Sequence, residues 1–253
     1  MPIGRKSSET ISIGRGAPPW FSSYGDLVTQ LLIFFVMLFA LSAAATENQL
    51  KKIKDKIDTY AKDNALGEII STKITQKEGL VISFRDKYMF DSGKAAVYEG
   101  AKKIIIDVMS NLKEVPNKIA IEGHTDNVPI TTPEFPSNWE LSTTRATNIL
   151  KLIIESFGFD PKRFTASGYG ENLPDSGVLF SVIGGSPTTE FSPDEWRKIV
   201  RVCNDTTEKK SKNRRIDIVV RRMELDEMRS WRAKLKEAAS ELITHKGLTK
   251  VKT

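Results

Sequence analysis

The sequence predicts a single-pass transmembrane helix followed by an α+β domain in which two helices pack on a mixed β-sheet. Three observations predict it. From Leu27 to Ala45 the chain carries no charged residue, a run long enough to cross a bilayer. Beyond residue 65 the apolar spacing switches from helical to alternating and back, so helices and strands are interleaved. At 253 residues the chain has room for one sizeable core beside the span.

Residues 1–19 are rich in Gly, Ser and Pro and end in Pro18-Pro19, which reads as a short tail. The span follows at 20–45. It is longer than the ~7–15 apolar residues of a signal-peptide core, and no similar run recurs, so one crossing is expected. Trp20 suits an interfacial anchor. Residues 46–64 then form an amphipathic helix with Leu50, Ile53, Ile57 and Tyr60 on one stripe, suited to a membrane surface or a partner.

The domain is expected over 65–223. "IISTKITQKEGLVISF" alternates on both sides of Lys77-Glu78-Gly79, the pattern of a hairpin. A helix over 94–113, a strand "KIAIEGH", a helix over 139–157, a strand over 163–169 and a last strand "RRIDIVV" complete the unit. Between about 175 and 212 an insertion breaks the pattern, with Gly184-Gly185 and a short helix begun by Ser192-Pro193. A final amphipathic helix is predicted over 224–244, within a tail at 224–253.

Composition excludes several classes. One cysteine, Cys203, rules out an intramolecular disulfide framework, and with only His124 and His245 beside it there is no zinc cluster. No cofactor or bound metal is expected. The net charge of +6 is concentrated between Lys209 and Arg222, where seven basic residues stand against Asp217. Such a stretch suits an anionic polymer or lipid, or else a solvated strand edge.

Two constellations carry chemistry. Asp26 lies six residues after Trp20, about 9 Å along a helix. An acid at membrane depth costs on the order of 2.5–3.5 kcal/mol, so it needs a reason. Thr29 and Gln30 fall on the same helix face and make it polar. One reading is a carboxylate that alternates between charged and neutral by taking up a cation, most simply a proton; the other is an acid at the headgroup boundary. The second constellation is "IEGHTDNVP" followed by "NWELSTTRA", in which Asp126 and Arg145 can meet across a strand-to-helix connection. Such a pair suits a zwitterion, the carboxylate taking an ammonium and the guanidinium a carboxylate, although a structural salt bridge fits the pattern too.

Together these segments resemble the flagellar stator proteins of the MotB/PomB family. The resemblance rests on "PPWFSSYGDLVTQLLIFFVMLFALS" and on an OmpA-like peptidoglycan-binding signature, "GHTDN", "NWELSTTRA", "GYGENLP" and "NRRIDIVV". It implies that Asp26 binds the transported ion, H⁺ in preference to Na⁺, with Trp20 and Tyr24 as the preceding aromatics. It implies that residues 47–61 are a plug against ion leakage, and that Asp126 and Arg145, supported by Asn138, hold the wall peptide. It further implies MotA-type partner subunits in a ring, a homodimer, no nucleic acid, a cytoplasmic N-terminus, an extracytoplasmic domain and a place in the inner membrane. The insertion is expected either to cap the wall-binding groove or contact a motor component, or to be a surface loop. The rival to an ion-conducting stator is a passive membrane-tethered wall anchor. A hydrolase is not expected, because His124 lies in the family's turn motif and no acid/base pair or nucleophile is evident.

Overall fold

Helix α1 (Pro19–Asp63) runs without a break through the predicted span and the predicted amphipathic segment. The computed structural model describes residues 18–223 except 76, 114 and 186–190, and only the backbone at 19 and 41–47. The predicted helix over 224–244 and nearly all of the N-terminal tail lie outside the described residues. The chain divides after Ala45 into two units, each taken here by itself. Within the first, Trp20–Ala40 is long and apolar enough to cross a membrane.

The second unit is built on a five-stranded sheet: β1 (Ile70–Thr75), β2 (Gly79–Arg85), β3 (Ile119–His124), β4 (Phe164–Gly168) and β5 (Arg215–Arg221), in the order β1-β2-β5-β3-β4. β1, β2, β5 and β3 pair antiparallel, and β4 joins β3 in parallel. The sheet is therefore mixed, as expected. Two helices, α2 (Glu99–Ser110) and α3 (Asn138–Phe157), cover one face. α2 is shorter than the 94–113 predicted, because residues 91–97 instead bridge Phe90 to Val97. α3 begins at a Ser137 cap that accepts from the Trp139 N–H and ends at Gly158, whose φ of 59° is the left-handed stop that glycine tolerates.

Alternation sends Leu80, Ile82, Phe84, Ile119, Ile121, Ile216 and Ile218 to the helical face, where they meet Ile105 and Val108 of α2 and Ile149 and Ile153 of α3. The end of α1 joins the same core. Leu50, Ile53, Ile57 and Ala61 are buried there, and the Tyr60 hydroxyl donates to Asp107 of α2 at 2.8 Å. Burial and Asp107 push the Tyr60 phenol up to about 12. The stripe read as a surface for a membrane or a partner is thus packed against the domain's own core. Each buried Leu or Ile contributes about 1.5–3 kcal/mol, so several such contacts hold the stripe to the domain.

Two facing glycines let α3 approach the sheet. Gly123 of β3 pairs with Gly168 of β4, and a Cβ on Gly123 would lie 2.1 Å from the Ser142 carbonyl oxygen. A Cβ on Gly168 would lie 2.4 Å from the Thr143 backbone nitrogen. Backbone cannot yield as a side chain does, so Gly123→Ala is expected to destabilise the domain by about 1–3 kcal/mol, the range of overpacked cores. Thermal unfolding of the full chain checks it; an unchanged midpoint would contradict the close approach.

Among its described residues the insertion carries three short helices. α4 (Ser176–Ile183), α5 (Pro193–Val202) and α6 (Thr207–Asn213) gather Val178, Leu179 and Cys203 into a small cluster flanked by Trp196 and Ile199. α5 starts as its sequence predicts, with Ser192 and Glu195 capping each other's backbone and Pro193 in the first turn. Several cations of the basic stretch are spent internally: Lys209 on Asp205, Lys212 on Glu208 and Arg215 on Asp217.

Candidate functional site

In the first unit Asp26 sits within the apolar stretch, six residues after Trp20. Its Oδ2 accepts from Gln30 Nε2 at 3.2 Å. Thr29, expected on the same polar face, instead donates its hydroxyl to the Gly25 carbonyl at 2.8 Å, which leaves Gln30 as the group that orients the carboxylate. Trp20 and Tyr24, six and two residues before Asp26, meet edge to face at 6.4 Å. The span contains no Lys or Arg to hold Asp26 permanently charged.

In the second unit Asp126, Asn138 and Arg145 line one cleft of about 750 Å³. The end of β3 delivers Asp126, and α3 delivers the other two from its first turns. Asn138 Nδ2 donates to the carbonyls of Asp126 (3.3 Å) and Val128 (3.0 Å) and to Glu171 Oε2 (2.9 Å), so it fixes the turn that carries Asp126. The loop after that turn supplies Val128, Pro129, Ile130 and Thr132 to the cleft wall.

Asp126 and Arg145 do not pair with each other. Arg145 binds Asp86 at 2.9 Å and donates to the carbonyls of Lys94 (2.8 Å) and Asp91 (3.2 Å), with its guanidinium 4.8 Å from the Phe90 ring. Asp126 accepts from the Val128 N–H and is paired with Arg214. Four charges therefore alternate around the cleft. Burial presses the Asp86 carboxyl up and Arg145 down, and each opposes that pressure on the other. Of the five N–H groups of a guanidinium, Arg145 spends three on these contacts, which leaves two. Asp86 and Arg214 were not among the residues that the sequence singled out. Arg214 stands in the signature "NRRIDIVV" and in the basic stretch without a role of its own, and Asp86 follows the last residue of β2. Only the β2–β5 register, extended by the Asp86 N–H to the Arg214 carbonyl at 3.1 Å, brings them to the cleft.

No residue of the 175–212 insertion lines this cleft, so the expected cap over it is not formed by the described residues. His124 is buried and stacked on Tyr169 at 5.3 Å. Burial and the Arg215 charge push it down to about 3, so it stays neutral and exchanges no proton near neutrality. Burial opposes ionisation of Asp217, but the Arg215 charge at 2.9 Å, with a hydrogen bond from Ser83, holds its carboxyl below the usual range. Among the described residues no cluster of His, Cys, Asp or Glu could hold a metal ion.

Comparison with known proteins bears on both units. Residues 5–59 match a family described as membrane MotB of the proton-channel complex MotA/MotB, and residues 89–177 match the OmpA family. The motility protein B of Bacillus subtilis is 36% identical in an alignment that takes in 70% of this chain and 58% of that protein. The Bacillus subtilis protein YtxE is 29% identical over 61% of this chain and 79% of its own length. A crystal structure of a MotB-like protein from Desulfovibrio vulgaris superposes with a TM-score of 0.51 over 70% of this chain and 96% of that one, at 22% identity, a likeness of fold. In this chain a helix of membrane-crossing length, a segment that matches the MotB plug family and a segment that matches the OmpA family follow one another, so it is similar to MotB proteins in both matched segments, while it spans about three fifths of the Bacillus subtilis relative's length.

Proposed function

We propose that this chain is an ion-conducting stator subunit of a flagellar motor, anchored to peptidoglycan and working with MotA-type subunits that surround it. The observation that carries the proposal is Asp26, an acid in an otherwise uncharged span, oriented by Gln30 and lacking any cationic neighbour in that span. A carboxylate so placed changes charge when it takes up a proton, and neutralisation alters its hydrogen bonding enough to bias a two-state packing. H⁺ is the ion we assign, with Na⁺ the alternative, since selectivity depends also on groups a partner supplies.

The cleft at Asp126 supplies the anchor. An ammonium of a wall peptide meets Asp126, and its carboxylate meets the two free N–H groups of Arg145. Anchoring fixes this subunit, so that ion occupancy at Asp26 moves the partner ring. The N-terminus then lies in the cytoplasm and the OmpA-family domain outside the inner membrane, and a homodimer brings two Asp26 carboxylates into one complex. Residues 47–61 act as the plug on this reading. Because Leu50, Ile53 and Ile57 also belong to the domain core, releasing the stripe requires undocking it from α2.

The test is complementation. Cells lacking their own stator subunit, but producing the matching MotA-type partner, should swim when given this chain, with speed that follows external pH and not external sodium. Speed that follows sodium at constant pH assigns Na⁺. Membrane-assembled chain that binds peptidoglycan yet restores no swimming supports the passive anchor instead.

A further inference from the structure

The insertion encloses something of its own. Glu122 lies in mid-β3, and the β3–β5 register sets it directly opposite Asp217. Facing carboxylates repel, and Asp217 holds the near cation, Arg215 Nε at 2.9 Å. Glu122 is only 7% exposed, yet its closest cation is Arg221 at 3.9 Å, outside hydrogen-bond reach. A buried carboxylate without a close partner is costly unless something else satisfies it.

Its surroundings are not an apolar seal. Glu122 lines a cleft of about 560 Å³ on the sheet face opposite α2 and α3, where the insertion supplies part of the wall. Lys73 and Lys77 come from the β1–β2 hairpin, and Leu173, Leu179 and Phe180 supply the apolar side. Lys73 is occupied, donating to Ser176 Oγ at 2.8 Å and lying 3.6 Å from Asp175. Lys77 has no ion-pair partner among the described residues. Phe180 is 58% exposed, although Leu179 beside it is buried. The acids do not converge as metal ligands do. What remains is one buried carboxylate whose cation lies beyond hydrogen-bond reach, one ammonium without an ion-pair partner among the described residues, and an apolar wall, within the size range of small-molecule sites.

We propose that this cleft binds a small zwitterion with an apolar side chain, a free amino acid or short peptide, its ammonium on Glu122, its carboxylate on Lys77 and its side chain against Leu179 and Phe180. The site is distinct from the Asp126 cleft and does not depend on the ion-conducting reading. Binding requires the ionised form of Glu122. Burial, with Glu78 and Asp217, pushes that carboxyl up to about 7, against the pull of Arg221 and Arg215. Lys73 and Lys77 on the hairpin, Asp175 beside Lys73, His124 on the same side of β3 and the Tyr169 phenol beyond β4 are further titratable groups on this face. Affinity should therefore rise between pH 5.5 and 7.5.

The test is calorimetric titration of the full chain in lipid nanodiscs at pH 7.5 with the dipeptide alanyl-leucine. Saturable binding is expected, weakened at least tenfold when the dipeptide is N-acetylated or C-amidated, and weakened as much by Glu122→Gln or Lys77→Ala. Glu122→Gln keeps the shape and removes the repulsion from Asp217, and Lys77 is exposed, so both variants should fold. The same titration of Asp126→Asn separates this cleft from the Asp126 cleft, which on the proposed function also takes a zwitterionic peptide, and should retain a saturable phase that Glu122→Gln removes. An absence of saturable heat, equal binding of the acetylated dipeptide, or full binding by Glu122→Gln would each overturn the site. Absence of any saturable phase in Asp126→Asn would do so too, by assigning the dipeptide to the other cleft.

Discussion

Asp26→Asn is expected to reduce swimming to the level of cells without the subunit, while the chain remains assembled in the membrane at its normal level. Asparagine has nearly the same volume and can still accept from Gln30, which donates to Asp26 at 3.2 Å, so the helix surface is preserved. What disappears is the exchangeable proton. The insertion cost of the acid, on the order of 2.5–3.5 kcal/mol, disappears with it, so the variant should assemble at least as well. Tracking of swimming cells, with cytoplasmic pH followed after external acidification, reads both consequences. Asp26→Glu keeps the carboxyl but carries it one methylene further from the backbone, and partial motility is expected. Wild-type swimming in Asp26→Asn would remove ion exchange at this residue and leave the passive anchor.

Arg145→Leu should produce the largest loss of stability in the domain. It leaves Asp86 buried without its 2.9 Å partner and strips a donor each from the Lys94 and Asp91 carbonyls. Removing one member of a buried pair costs about 3–5 kcal/mol, which for a domain of this size lowers the unfolding midpoint by roughly 6–20 °C. The sign of the pH dependence follows from Asp86, whose folded carboxyl is already raised by burial and loses the opposing Arg145 cation in the variant. An acid with a raised folded pKa binds more protons folded than unfolded, so stability falls as pH rises through the window between the two values. The variant should therefore lose less at pH 4.5 than at pH 7.5, and Asp86→Asn should rescue part of the loss. Thermal unfolding at both pH values checks this; an equal deficit at both would rule out the stranded carboxylate as its cause.

Asp126→Asn separates anchoring from folding. Its partner Arg214 is a third exposed and can be solvated when the pair is broken, so the unfolding midpoint should move little. Retention on isolated peptidoglycan should nevertheless fall about tenfold, the scale of one charge-assisted contact. Retention equal to the wild type would remove Asp126 from the wall-binding site.

The sequence by itself determined the apolar span, the position of Asp26 within it, the change from helical to alternating period, and the cap at Ser192. Each of these is local: a period, a desolvation cost or a capping residue is written within a few consecutive positions, and no other part of the chain can alter it. Of the residues at the Asp126 cleft, Asp126 itself, Asn138 and Arg145 were also legible one by one. Their pairing was not, because Asp86 reaches Arg145, and Arg214 reaches Asp126, only through a strand order of β1-β2-β5-β3-β4 that brings the last strand between the second and third. The same holds for the stripe of Leu50, Ile53 and Ile57, whose spacing announces an apolar partner without saying which, and for Glu122, whose isolation exists only because the register places Asp217 opposite it. Tertiary structure decided those points, since charge pairing and apolar docking are set by distances in space between residues that the chain itself keeps far apart.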